Sequence, residues 1–154
     1  MNFLIEAFAW LADPTHWGGP NGIGVRLGEH LAYSVAGVAL ACVIAIPAGW
    51  WVGHSGRLRG LAVGISGGAR ALPTLGLVTL LGILFGIGLI GPMVAFVILA
   101  LPSVLAGAYS GVEAADRQAV DGARASGMTE FQVLTKVEVP LGFPLLVGGI
   151  RSAF

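Results

Sequence analysis

The chain has 154 residues, of which 56% are hydrophobic and only 10% charged, with a mean hydropathy of +0.87. Soluble domains carry about a quarter charged residues, so this composition excludes an ordinary soluble protein and indicates an integral membrane protein. Eight basic and eight acidic side chains cancel, leaving no global attraction for nucleic acid, and a single cysteine, Cys42, excludes an intrachain disulfide or a cysteine zinc site.

The first twelve residues are apolar but include Glu6 and no basic residue, which argues against a cleaved signal peptide. Residues 1–28 are expected to form an extracytoplasmic or interfacial segment, with Trp10 and Trp17 near the headgroups. Residues 29–154 are expected to form the transmembrane domain. Its first span is placed at 31–52, where apolar and small residues run for about the 20 positions a hydrocarbon core requires. Cys42 lies mid-span and reads as a small packing residue.

The next apolar run contains Arg70 and Pro73 and is divided there. Residues 61–69 are expected to enter the interface and 71–90 to form the second span. Gly60, Gly64 and Gly68, and then Gly82 and Gly86, recur every four residues, a spacing that allows helices to approach closely. A third span at 93–109, kinked at Pro102, is followed by the polar loop 111–140. The last apolar segment, 141–154, stops after about 14 residues, short of the roughly 20 of a full span, so the chain is expected to be truncated.

Loop charge sets the orientation. Arg57, Arg59, Arg117, Arg124 and Lys136 fall on one side of this arrangement and only Arg26, near Glu29, on the other. By the positive-inside rule the 116–140 passage is cytoplasmic and the N-terminus extracytoplasmic.

No catalytic constellation or metal site is expected. His16, His30 and His54 are far apart and read as interfacial or loop residues, and no Asp, Glu or His falls inside an expected span. Gly86, Gly88 and Gly91 match GxGxxG, yet no strand precedes them, so a dinucleotide site is rejected. A phosphate-cradling GxxxxGK[ST] sequence is also missing. Arg70, with Pro73, Thr74 and Pro102, is a candidate pathway or gate residue; snorkelling of Arg70 and plain helix kinks at the prolines are the competing readings.

The polar passage has the marks of two short helices joined at a glycine. Asp116 can cap the first helix, and Gly127 supplies the left-handed residue that commonly ends one. Thr129-Glu130-Phe131-Gln132 is a capping box, and Phe131, Leu134 and Val137 give the second helix an apolar stripe that Pro140 closes.

This passage resembles the cytoplasmic signature of permease subunits in binding-protein-dependent ABC importers. In that family Glu-Ala-Ala is followed by three residues, Gly, nine residues and Ile-x-Leu-Pro. Here Asp121-Gly122-Ala123, Gly127 and Val137-Glu138-Val139-Pro140 stand at those positions, and Glu113-Ala114-Ala115 is out of register. Arg70-Ala-Leu-Pro73-Thr74-Leu-Gly76, Gly127-Met-Thr-Glu130 and Gly149-Ile-Arg151-Ser-Ala153 look like the branch that imports glycine betaine, choline or carnitine.

The resemblance implies an all-α polytopic membrane bundle with a coupling loop at 111–140. Asp121, Gly122, Ala123, Gly127, Thr129, Glu130, Phe131, Val137 and Pro140 would engage an ATPase. Asp121 in place of Glu, and Gly122 in place of Ala, make that contact less rigid. The implied partners are cytoplasmic ABC ATPase subunits carrying ATP and Mg, a second permease copy or paralogue, an extracytoplasmic substrate-binding protein and the lipid bilayer. No cofactor is implied for this chain, and the implied compartment is the bacterial inner membrane. A permease for another small substrate such as methionine, and a truncated membrane protein that transports nothing, are the alternatives.

Overall fold

A computed structural model describes residues 2–154, apart from the side chains of Ala69 and Arg70. Among the described residues every regular element is helical: α1 (Phe3–Ala12), a 3₁₀ turn (Pro14–His16), α2 (Ile23–Ser55), α3 (Arg59–Arg70), α4 (Thr74–Phe85), α5 (Ile90–Glu113), α6 (Arg117–Ala125), α7 (Glu130–Val133), a π turn (Leu134–Glu138) and α8 (Val139–Arg151). Among the described residues three helices are long and apolar enough to cross a membrane, namely α2, α5 and the continuous helix Glu130–Arg151. The chain forms two compact units, residues 1–36 and 37–154.

In the first unit α1 buries no side chain, leaving Phe3, Leu4, Ile5, Phe8 and Trp10 exposed. Asp13 caps the 3₁₀ turn by accepting from the Thr15 amide at 2.9 Å and from its hydroxyl at 2.8 Å. These two donors hold the Asp13 carboxyl below its ordinary pKa, the backbone bond contributing most. The His16 ring stacks on Trp10 with centroids 4.2 Å apart, and the Trp17 indole donates to the Leu11 carbonyl at 2.7 Å.

The second unit is built around α5, which packs against α3, α4 and α8. Small residues let the backbones meet. A Cβ added to Gly107 would stand 2.8 Å from the Gly149 Cα, and one added to Gly111 would stand 2.6 Å from the Gly142 carbonyl oxygen, so α5 and α8 touch along a glycine seam. Val38, Ala41 and Ala100 form a buried cluster, with Cys42 packed against it as a small apolar residue.

Several elements differ from the sequence expectation. The first span begins at Ile23, eight residues before the expected 31, extending a helix in which Arg26 pairs with Glu29 at 2.9 Å. No single helix occupies 71–90. Pro73 has no amide hydrogen and stands as the N-cap of α4, and Gly86, with φ of +80°, ends that helix after 12 residues. At 1.5 Å per residue α4 is only about 18 Å long, too short to cross alone.

Instead α3 and α4 pack in succession along α5. Arg59 at the start of α3 pairs with Glu113 at the end of α5 at 3.3 Å, whereas Leu81 of α4 lies against Gly91 at the start of α5. The third span is longer than 93–109, since α5 runs unbroken through Pro102 to Glu113.

The repeats at Gly60, Gly64, Gly68, Gly82 and Gly86 do not mediate close approach, because a Cβ at each would meet nothing within 4 Å. Spacing four apart defines a helix face but not what covers it. Pro140 likewise does not close a helix. It occupies the first turn of α8, preceded by a π turn in which the Val139 amide donates to the Leu134 carbonyl, and this widened register accommodates the donor that proline lacks. The last apolar segment therefore starts at Glu130, not at 141.

Candidate functional site

The polar passage folds from local signals. Asp116 accepts the Gln118 amide at 2.9 Å and caps α6, whose Val120 and Ala123 face inward while Asp121 and Gly122 remain exposed. Gly127 has φ of +84°; its amide donates to the Arg124 carbonyl at 3.0 Å, and the Met128 amide donates to the Ala123 carbonyl at 3.2 Å. This pair of bonds is a Schellman end, which a residue with a Cβ adopts only with strain.

The second helix then opens with a capping box. The Thr129 amide donates to the Gln132 side chain at 2.9 Å, and the Gln132 amide donates to the Thr129 hydroxyl over a longer 3.4 Å. Across the turn Arg124 makes a two-pronged contact with Glu130, Nε to Oε1 at 3.0 Å and Nη2 to Oε2 at 2.9 Å. That hydrogen-bonded carboxylate holds the Arg124 guanidinium further in its charged form.

Together these contacts fix α6 and α7 around a small core of Ala115, Val120, Ala123 and Val133, with Val137 packed on it. Phe131 is left 74% exposed, and Met128 and Thr129 are exposed beside it. The apolar stripe read from Phe131, Leu134 and Val137 is not one continuous face: Val133 is fully buried, Leu134 and Val137 are only partly so, and Phe131 is exposed. A π turn widens the helical repeat, which breaks the simple spacing of three.

Two residues of this site were missed by the sequence reading. His54, at the end of α2, places Nδ1 at 2.6 Å from Glu138 Oε2 and Nε2 at 3.2 Å from Glu130 Oε2. Glu138 is buried within the Glu130–Arg151 helix, contrary to the expectation that no acidic residue lies in a span. Its setting between Val137 and Val139 was the one available hint. A cleft of about 410 Å³ opens beside this contact, lined by His54, Glu113, Arg117, Asp121, Arg124 and Glu138 among others. Among the described residues no group of His, Cys, Asp and Glu is arranged to hold a metal ion.

The candidate gate residues do not form one surface. Pro73 and Thr74 are exposed at the break between α3 and α4, Pro102 is fully buried in α5, and the Arg70 side chain lies outside the described residues.

Residues 45–154 match the family described as binding-protein-dependent transport system inner membrane component. The chain is 31% identical over 125 residues to the carnitine transport permease protein OpuCD of Listeria monocytogenes serotype 1/2a (strain 10403S), covering 81% of this chain and 56% of that protein. It is 29% identical over 128 residues to the choline transport system permease protein OpuBD of Bacillus subtilis (strain 168), covering 83% and 57%. To the glycine betaine/proline betaine transport system permease protein ProW of Escherichia coli (strain K12) it is 26% identical over 122 residues, covering 79% and 34%. The chain spans little more than half the length of the first two relatives. With the family match covering well over half of its residues, this multi-pass membrane chain belongs to the inner membrane components of binding-protein-dependent transport systems.

Proposed function

We propose that the chain acts as a permease subunit of an ABC importer for osmoprotectants such as carnitine, choline or glycine betaine. It would be a transport subunit, with ATP and Mg bound and ATP hydrolysed on a separate cytoplasmic subunit. The observation that carries this reading is the pair α6–α7: a helix end and a helix start, each closed by its own backbone bonds, with Phe131 standing 74% exposed between polar neighbours. An exposed aromatic on a rigid, internally satisfied turn is what a partner's hydrophobic groove can grip.

Asp121, Gly122, Ala123, Gly127, Thr129, Glu130, Val137 and Pro140 are assigned to building or flanking that turn. The names of the similar permeases favour quaternary amines over methionine as the substrate class. A second permease copy or paralogue and an extracytoplasmic binding protein complete the proposed assembly. The His54–Glu138 contact and the Arg59–Glu113 ion pair join basic loops at one end of the helices, which supports a cytoplasmic position for α6 in the bacterial inner membrane and an extracytoplasmic N-terminus.

The test is co-purification with the ATPase subunit, followed by uptake of labelled betaine, choline and methionine. Phe131→Asp is expected to reduce ATPase retention by at least about 30-fold, the scale of an interfacial hot spot, while leaving the helix content unchanged. Undiminished retention in that variant would sink the docking assignment.

A further inference from the structure

Nothing in the docking surface itself uses His54, yet its ring is 18% exposed and faces a carboxylate at each nitrogen. A carboxylate only accepts, and a neutral imidazole has one N–H and one lone pair. A neutral ring would therefore turn its lone pair toward one of the two carboxylates. An imidazolium donates to both.

Charge is dense around the ring. Four carboxylates, Glu113, Asp121, Glu130 and Glu138, meet at this cleft and its rim with three guanidiniums, Arg59, Arg117 and Arg124, while Lys136 lies on the exposed flank of the π turn. Glu138 is only 8% exposed at its side chain, so loss of its partner would leave a buried carboxylate uncompensated.

The two acceptors sit on one helix, Glu130 in its first turn and Glu138 in the π turn. His54 ends the first span. We propose that His54 is a positioning residue whose doubly protonated ring clasps Glu130 and Glu138, pinning the α6–α7 turn to the end of α2, and that the clasp loosens as the ring loses its second proton. The consequence for transport rests on the docking reading above; the clasp itself is a property of this chain.

Hydrogen exchange of residues 129–140, corrected for intrinsic base catalysis, tests it in nanodiscs at about pH 5 and about pH 8, the range in which histidine is the side chain that characteristically changes charge. Protection in the unmodified chain is expected to fall roughly tenfold at the higher pH, the scale of one charge-assisted hydrogen bond. His54→Gln should show the lower protection at both pH values. His54→Arg, which keeps several donors and a permanent charge, should keep the higher one. If His54→Gln does not fold, Glu130→Gln removes the exposed arm and should reduce the pH dependence, leaving the part carried by Glu138.

Protection that does not change with pH in the unmodified chain, the result expected of a neutral ring paired with a protonated Glu138, overturns the proposal. So does an unaltered pH response in His54→Gln or, if that variant does not fold, in Glu130→Gln. In the assembled importer, His54→Arg should flatten the pH profile of ATP-driven uptake without releasing the ATPase. Failure of the Phe131→Asp retention test would remove the docking reading and leave the exchange result standing, so the two ideas fail separately.

Discussion

The glycine seam between α5 and α8 and the turn between α6 and α7 solve opposite problems. Along the seam backbones touch with no side chain between them, so stability comes from close contact over length and tolerates no added volume. The turn buries little and is held by separate local devices: a cap at Asp116, a left-handed Gly127, a capping box at Thr129 and the Arg124–Glu130 contact. A seam of this kind fails all at once; a turn of this kind should lose one device at a time.

The largest effect should therefore come from bulk in the seam. Gly142→Val pushes its Cβ into the Gly111 carbonyl and should cost about 3 kcal/mol or more, read as a lowered midpoint of SDS-induced unfolding. If the variant unfolds normally, the seam is looser than described. Gly127→Val should come next, at about 1–2 kcal/mol for forcing a β-branched residue into the left-handed region, with loosening confined to α6–α7 in hydrogen exchange. Spread of that loosening to α8 would erase the contrast between the two regions.

Thr129→Ala removes one acceptor and should cost about 1 kcal/mol, seen as fraying of the first turn of α7. The smallest change falls outside both regions. The Asp13 carboxyl is depressed in the folded chain, so its contribution to the 3₁₀ turn is present above the ordinary carboxylate range and lost as pH falls through its folded value. Acidification should release the Thr15 amide to exchange, and Asp13→Asn should make that exchange largely independent of pH in the acid range.

The difference between seam and turn also explains what the sequence made legible. Caps at Asp116 and Thr129 and the left-handed Gly127 are decided within a few residues, and each could be read from spacing alone. The seam could not. Gly60, Gly64 and Gly68 have the same four-residue rhythm as Gly107 and Gly111, and only the packing of distant helices makes one set contact-forming and leaves the other open. His54 and Glu138 lie 84 positions apart, so their pairing had no local mark either. Pro140 misled for a related reason: a proline reads as a stop, but a π turn before it lets the helix continue.

That continuity has a mechanical meaning. A helix joined at Pro140 by a hinge would absorb a push on its first turn within the joint. Glu130–Arg151 is instead one continuous helix of 22 residues, about 33 Å long at 1.5 Å per residue, so a tilt applied beside Phe131 is passed toward Arg151 along the helix, through the π turn and past Pro144. The rod rests on α5 at Gly107, Gly111, Gly142 and Gly149, where backbone meets backbone, with Leu146 buried between those contacts. At those glycines no side chain cushions the contact, so a tilt of the rod is felt directly by the α5 backbone.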